Sequence, residues 1–149
     1  MCIRDSLGTI QSYYEAHMDL VSIHPIFNLY NREWPVLTHL PPLPPAKFSG
    51  VGSAADSIVG AGSIIADGRV ERSVVSYDVR IASGALIQSS VVMPNVVIGN
   101  NAIIRNAIID KGVIIEPGAQ LGVDLEKDSK RYTVTDSGIV VVGKGQVVI

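Results

Sequence analysis

The side chains that most often carry out chemistry are few in this chain and unevenly placed. All three histidines, His17, His24 and His39, precede residue 50, so residues 50–149 contain no imidazole that could act as a base or ligate a metal ion. The single cysteine, Cys2, excludes an internal disulfide, and no G-x-G-x-x-G phosphate-binding pattern occurs. The second part of the chain therefore lacks the groups that histidine-based, zinc-based or nucleotide-cradling chemistry requires.

Charge and hydropathy exclude two classes of partner. The 149 residues include 12 basic and 14 acidic side chains, a net charge of −2. The chain therefore lacks the excess of positive charge that is typical of proteins that bind nucleic acid. Although 47% of the residues are hydrophobic, even the longest purely aliphatic stretches, such as residues 139–142, are far shorter than the roughly 20 apolar residues that cross a bilayer. No signal-peptide pattern is present. We therefore expect a cytoplasmic protein whose partners include neither nucleic acid nor a membrane.

The composition changes near residue 50. Six of the eight prolines lie between Pro25 and Pro45, and six of the eight aromatic residues precede residue 50, whereas 13 of the 14 glycines follow Phe48. We divide the chain into residues 1–48 and 49–149. Because the second part is almost free of aromatic residues, its core must be built from aliphatic side chains.

A repeat occupies this second part. Aliphatic residues recur with steps of 6, 6 and 5, a unit of 17 residues, at Val75, Ile81, Ile87, Val92, Ile98, Ile104, Ile109, Ile115 and Leu121. Two further sets are spaced by 17 residues: Gly84, Asn101 and Gly118, and Ser73, Ser90 and Ala107. Before Val75, the residues Ile58, Ile64 and Val70 keep the six-residue step, but Gly68 precedes Gly84 by 16. We predict that the chain slips by one residue at a corner there.

This period predicts a mainly β fold, a left-handed parallel β-helix of hexapeptide repeats in which three short strands make one triangular coil. The repeated Val and Ile side chains would point inward and stack at roughly 4.8 Å, with Gly or Asn of positive φ at corners. An irregular β-sandwich is the alternative, but its hairpins do not generate a 6-6-5 cycle. The open ends need caps, and we interpret the charged run 124–131 as a solvated turn or short helix leaving the prism near a C-terminal cap.

Residues 1–48 have another character. Thr9 can cap a helix of about residues 9–21, because the spacing of Ile10, Tyr13, Tyr14, His17, Leu20 and Val21 is that of an amphipathic helix. The proline-rich segment that follows predicts an extended arm. A helix and an arm of this kind cannot fold alone, so we expect them to be the tail of a larger domain or a clasp on a neighbouring subunit.

Seven segments form a specific series of motifs: 8–20, 30–35, 43–48, 56–60, 107–111, 122–128 and 138–142. Together and in this order they closely resemble the C-terminal third of bacterial glucose-1-phosphate adenylyltransferases. The resemblance covers nearly everything after Leu7. The hexapeptide repeat alone is much less specific, because many families share it.

The resemblance implies an enzyme that makes ADP-glucose and pyrophosphate from ATP and glucose 1-phosphate with Mg²⁺, as the regulated step of glycogen synthesis. In that family a Rossmann-like N-terminal domain performs the chemistry, while the β-helix supports a homotetramer and helps to form the effector site. The Gly-rich phosphate loop of the catalytic domain is absent here. We therefore interpret residues 1–48 as the end of the nucleotidyltransferase domain with its linker, and the chain as a fragment that holds no cofactor of its own.

The start of the helix differs from the family pattern. The family has Asp-Val-Gly-Thr there, with the aspartate at the metal and nucleotide site, whereas this chain reads Ser6-Leu7-Gly8-Thr9. A serine hydroxyl does not supply the anionic oxygen that Mg²⁺ prefers. Residues 1–6 match nothing in the family, and we expect a truncation or assembly junction. We predict that this chain has no catalytic residues, no metal site and no adenylyltransferase activity by itself.

The resemblance also points to three candidate effector-binding lysines. Family members place a basic residue after the Ile-Asp pair, where it contacts the phosphate of an activator, and here that residue is Lys111. Lys144 resembles a second effector lysine, and Lys47, near the domain junction, is a weaker candidate. Such lysines would bind sugar phosphates or nucleotides as point charges, and Arg131 is a further candidate for the same anion. The alternatives are a solvated turn at Lys111 and an exposed hairpin tip at Lys144.

Two other functions stay open. The chain can be a stand-alone β-helix scaffold that only assembles subunits. A hexapeptide-repeat acyltransferase is less favoured, because it uses a histidine base at the boundary between prisms, and a γ-class carbonic anhydrase would need three histidine ligands. The repeat region contains no histidine.

Overall fold

The computed structural model describes residues 8–39 and 41–149, so the feature expected at Ser6 lies outside the described residues. In chain order the elements are α1 (Ile10–Leu20), β1 (Lys47–Ser49), β2 (Ser53–Ala55), β3 (Ile58–Val59), β4 (Ile64–Ala66), β5 (Arg69–Glu71), β6 (Val74–Val75), β7 (Arg80–Ile81), β8 (Leu86–Gln88), β9 (Val91–Val92), β10 (Val97–Ile98), β11 (Ile103–Arg105), β12 (Ala107–Ile109), β13 (Ile114–Ile115), β14 (Gln120–Leu121), α2 (Leu125–Ser129), β15 (Thr133–Val134), β16 (Val140–Val142) and β17 (Val147–Val148).

The strands form three sheets that are the faces of a triangular prism. Sheet A has the order β1-β4-β7-β10-β13-β17, sheet B the order β14-β11-β8-β5-β2, and sheet C the order β15-β16-β12-β9-β6-β3. Successive strands of the repeat therefore go to successive faces. Neighbours within each sheet are parallel, except that β15 pairs antiparallel with β16. This topology confirms the predicted parallel β-helix.

The core of the prism consists of stacked aliphatic side chains. All nine residues of the 6-6-5 repeat are at most 2% exposed. On sheet A, for example, Ile81 pairs with Ile98 and Ile98 with Ile115. Each coil thus buries its aliphatic residues against those of the next coil, and the core continues without aromatic residues.

The one-residue slip is confirmed at the corner between β4 and β5. That corner contains two residues, Asp67 and Gly68, whereas the corner between β1 and β2 contains three, residues 50–52. The strand partners of Ile64 and Arg80 are consequently 16 and 17 residues further along the chain. Ile58 and Ile64 keep the six-residue step in the sequence but do not point inward, because the shorter corner moves the inward positions to Val59 and Ile65.

The corners have the backbone conformation that their residue types predict. Gly84, Asn101 and Gly118 stand at equivalent corners with φ values of +73°, +56° and +77°. This is the left-handed region, which Gly adopts freely and Asn tolerates.

The buried serines of the repeat form a ladder of hydrogen bonds at the corner between sheets B and C. The hydroxyl of Ser90 donates to the carbonyl oxygen of Gln88 at 2.7 Å and accepts from the amide N–H of Ala107 at 3.2 Å. The hydroxyl of Ser73 accepts in the same way from the amide N–H of Ser90 at 3.1 Å. These side chains satisfy backbone groups at a corner where ladder bonds are interrupted.

After β14 the chain leaves the prism and returns at β16. The excursion contains α2, which Asp124 caps by accepting a hydrogen bond from the amide N–H of Lys127, and β15. The predicted short helix is confirmed. The run is not wholly solvated, however, because Asp128 is buried and its Oδ2 accepts a hydrogen bond of 2.8 Å from the amide N–H of Gly122. Tyr132, in the same excursion, packs against the core.

Candidate functional site

The N-terminal helix lies on the outer face of sheet C. As predicted, Thr9 caps it, accepting a hydrogen bond of 3.1 Å from the amide N–H of Ser12. Tyr13, Tyr14 and Met18 pack on a cluster formed by Val91, Ile108 and Ile139 of the prism. The hydroxyl of Tyr14 also donates to the carbonyl oxygen of Ser89 at 2.6 Å. The helix therefore packs on the β-helix of its own chain, and the apolar stripe expected from the sequence is only partly the contact face.

A cleft of about 680 Å³ opens between α1, the end of the proline-rich arm and the corner between sheets C and A. Its walls are mainly apolar and include Tyr13 from the helix, Leu43 from the arm, and Tyr77 and Pro94 from the corner. Among the described residues that line it, Lys111 is the only Lys, Arg, Asp or Glu. The cleft thus offers one positive charge beside a largely apolar cavity.

Lys111 occupies a tight turn at that corner. The Oδ1 atom of Asp110 accepts a hydrogen bond of 2.7 Å from the backbone N–H of Lys111, and Gly112 has a φ of +66°. Asp110 therefore organises the backbone of the turn. Within residues 8–39 and 41–149, the ammonium group of Lys111 forms no ion pair with any carboxylate, and its side chain is exposed.

Lys144 occupies the equivalent corner of the next coil. Because Ile109 pairs with Val142, Lys111 and Lys144 stand at the same position of consecutive coils, 33 residues apart in sequence. The amide N–H of Gly145 donates to the carbonyl oxygen of Lys111 at 3.0 Å. Backbones at this separation, about 4.8 Å, allow two flexible lysine side chains to reach one phosphate group.

The structure does not bring Lys47 or Arg131 to the same place. Lys47 begins β1 at the other end of sheet A, four strand spacings, or about 19 Å, from the level of Ile114. Arg131 lies in the excursion, lines a separate cleft of about 310 Å³ and donates to the carbonyl oxygen of Ile149 at 3.3 Å. Of the predicted basic residues, only Lys111 and Lys144 form a stacked pair.

Sequence reasoning did not place His17 and Tyr13 at this cleft. Their rings are 4.2 Å apart, and Nδ1 of His17 lies 2.8 Å from the carbonyl oxygen of Tyr13. Burial raises the pKa of the Tyr13 phenol above its usual value, and the charge of Asp110 raises that pKa further. The amphipathic spacing of α1 identified both residues, but it carried no information about which surface the helix would cover.

The described part of the chain carries neither a metal-binding cluster nor a membrane-spanning helix. Over these residues, no group of three or more His, Cys, Asp or Glu side chains could hold a metal ion. Nor does either described helix have the length and apolar character needed to span a membrane.

Comparison with known proteins adds an independent observation. A family model described as GlmU-like, C-terminal hexapeptide, matches residues 44–142, in agreement with the left-handed β-helix that the repeat predicts. The glucose-1-phosphate adenylyltransferase of Acidothermus cellulolyticus is 57% identical over 143 residues, which are 95% of this chain and 34% of that protein. The proteins of the same name from Mycobacteroides abscessus and Corynebacterium glutamicum are 57% and 51% identical, over 93% and 95% of this chain and 34% and 35% of their own lengths. The chain thus spans about one third of the length of these curated relatives.

Proposed function

The chain belongs to the GlmU-like, C-terminal hexapeptide family, and from this premise we propose that it is the effector-binding and subunit-assembly part of a glucose-1-phosphate adenylyltransferase. The whole enzyme would form ADP-glucose and pyrophosphate from ATP and glucose 1-phosphate. The role of this part is to bind a phosphorylated effector. The described residues contain no cluster that could hold a metal ion, and no step of the proposal uses one.

The observation that carries the effector proposal is the stacking of Lys111 and Lys144 at one corner beside the cleft. Neither ammonium group forms an ion pair in the described part of the chain, so both charges are available to an anion. Because the backbones of the two lysines are one strand spacing apart, a phosphate that binds both ammonium groups would also offset the repulsion between them.

The cleft next to Lys111 supports the same proposal. The phosphate of a sugar phosphate would lie on the exposed lysines, and the body of the effector would extend along the wall formed by Tyr77 and Pro94. Flat aromatic and proline surfaces pack well against the C–H faces of a sugar ring or against a base. Because the lysines are exposed, we expect the affinity to fall as the salt concentration rises.

The proposal is tested by titrating the 149-residue chain with fructose 6-phosphate, fructose 1,6-bisphosphate and inorganic phosphate in a calorimeter. We expect saturable binding of a sugar phosphate that weakens in salt, and no ADP-glucose when ATP, glucose 1-phosphate and Mg²⁺ are supplied to the same sample. If a chain that circular dichroism shows to be folded binds none of these ligands, the stand-alone scaffold is the better interpretation. Formation of ADP-glucose would overturn the non-catalytic assignment.

A further inference from the structure

The outer faces of the prism differ in what covers them. On sheet C, the outward side chains of Val91 and Ile108 are only 2% and 6% exposed, because α1 covers them. On sheet A the corresponding row is open, and its four aliphatic members are 36%, 42%, 47% and 50% exposed: Ile64, Val97, Ile114 and Val147. Sheet A thus carries an exposed aliphatic row along the prism, which we call the A row.

The second outward row of sheet A is made mostly of small residues. Beside the A row stand Ser49, Ala66, Ala82 and Gly99, with Glu116 at the next level. Small side chains at these positions leave the face flat. A second flat surface can therefore approach closely enough to bury the A row.

Two charges are built into this face. Arg80 interrupts the A row one strand spacing on one side of Val97, and Glu116 follows Ile114 one spacing on the other side. Neither side chain forms an ion pair within the part of the chain that the structure describes. Each strand of sheet A forms one level of the prism, and Arg80, Val97 and Glu116 belong to three consecutive levels. A twofold axis that runs along the strand of Val97, perpendicular to the prism axis, therefore exchanges the level of Arg80 with the level of Glu116.

We propose that the outer face of sheet A is the docking surface for a second, antiparallel copy of this chain, with Arg80 of each copy paired with Glu116 of the other. This proposal rests on the assembly role proposed above and deepens it by naming the face, the orientation and the charge pair. In this arrangement Val97 meets Val97 of the second copy on the axis, and Ile64 meets Val147. Lys47, at the end of the row, has no residue opposite it and stays in water.

The parallel arrangement is disfavoured by the same charges. With two prisms side by side in the same direction, equal levels would face each other, so Arg80 would lie against Ala82 and Glu116 against Ile114. Glu116 of the second copy would then lie two strand spacings, about 10 Å, from Arg80, so both charges would lose water with only a distant opposite charge, which is costly. In the antiparallel arrangement Arg80 lies opposite Ile114 of the second copy, and Glu116 of that copy stands two residues further along the same strand, about 7 Å away and within reach of the arginine side chain.

The dimensions of the face set the strength of the contact. Six strands separated by about 4.8 Å make a face about 24 Å high, with strands about 10 Å long. Such a surface is smaller than the roughly 800 Å² per partner of a standard stable interface. We therefore expect a reversible dimer whose population depends on protein concentration.

Sedimentation velocity of the whole chain over a concentration series tests the proposal. We expect a monomer–dimer equilibrium, and we expect Val97→Lys to raise the dissociation constant roughly tenfold or more, as for a central interface residue. The matched control is Ile103→Lys, an outward aliphatic position on sheet B at the equivalent place in its strand, which should leave the dissociation constant unchanged. A chain that stays monomeric throughout, or equal effects of the two variants, would overturn the choice of face.

A charge exchange tests the orientation. Arg80→Glu and Glu116→Arg should each weaken the dimer, and the double variant should restore it. Failure of the double variant to recover dimerisation would refute the antiparallel pair. Circular dichroism checks that every variant is folded. Calorimetric titration of Val97→Lys with fructose 6-phosphate separates the two proposals, because the loss of assembly should leave effector binding at Lys111 and Lys144 intact.

Discussion

The carbonyl oxygen of Lys111 accepts a hydrogen bond of 3.0 Å from the amide N–H of Gly145. This bond joins two corners of consecutive coils and places Lys144 directly above Lys111. The intervening excursion, with α2 and β15, leaves the prism and returns without disturbing that alignment. Two basic residues distant in sequence thus become one feature of the surface.

Removing either charge of this pair should weaken effector binding. We expect Lys111→Gln and Lys144→Gln each to raise the dissociation constant of the best-binding sugar phosphate by roughly three- to tenfold, because each deletes one charged hydrogen-bond donor to phosphate. Lys47→Gln is the matched control, since this lysine lies about 19 Å from the level of Ile114 in the strand that follows Lys111. Calorimetry at low and physiological salt measures the constants. An equal loss in all three variants would show that net charge, and not the stacked pair, governs binding.

Two corner glycines should differ sharply in their tolerance of a side chain. Gly118 and Gly122 both have positive φ, +77° and +73°, but a Cβ at Gly118 would meet nothing within 4 Å, whereas one at Gly122 would lie 1.8 Å from the carbonyl oxygen of Arg105. We expect Gly118→Ala to cost about 1–2 kcal/mol for its backbone conformation, and Gly122→Ala to cost about 1–3 kcal/mol more for the displaced backbone. Urea unfolding monitored by circular dichroism compares the two. Similar midpoints would mean that the chain around Arg105 moves freely.

The serine ladder should contribute to stability through its hydrogen bonds. Ser90→Ala removes the acceptor for the buried amide of Ala107, and we expect a loss of about 1–3 kcal/mol in the free energy of unfolding. The space tolerates alanine, because Ala107 occupies the equivalent position one coil further on. Ser83→Ala, at an exposed corner, is the control and should change the unfolding midpoint little. If both variants have the same unfolding midpoint, the hydrogen bonds of the serine ladder make no net contribution to the free energy of unfolding.

Acid should weaken an interaction on the outer face of sheet B. The amide of Gln88 donates to Oε2 of Glu71 at 2.6 Å, and this hydrogen bond, with the charge of Arg69 as a smaller cause, holds the pKa of Glu71 below its ordinary value of 4.5. A lowered carboxyl pKa adds stability above the ordinary value, and that stability is lost as the pH falls through the lowered pKa. NMR titration of Glu71 measures it directly.

Two variants test the cause of the lowered pKa of Glu71 and its effect on stability. Gln88→Leu should move the pKa of Glu71 back toward 4.5, and Glu71→Gln should reduce the loss of stability as the pH falls below 4.5. An unchanged titration midpoint in Gln88→Leu would assign the lowered pKa to the arginines nearby.

Much of the prism could be predicted because its contacts repeat. A step of 6, 6 and 5 residues leaves one way to stack aliphatic side chains, and Ile81, Ile98 and Ile115 stack in that way. The slip near Gly68 was visible as a spacing of 16, but its location between Ile65 and Val70 was not. A residue missing from the corner before a strand and a residue missing from the corner after it give the same spacing in the sequence. Only the pairing of neighbouring strands distinguishes these two cases.

By itself, the sequence determined the repeat, the small and aliphatic positions of its core, the cap of α1 and the resemblance of its motifs to one family. Only the tertiary structure decided that α1 covers sheet C, that Tyr13 and His17 reach the same cleft as Lys111, and that Lys144 stacks on Lys111. Local spacing determines which side of a strand or helix is apolar. Which surfaces meet depends on where a helix docks and where an excursion returns, and these contacts form between residues distant in the chain.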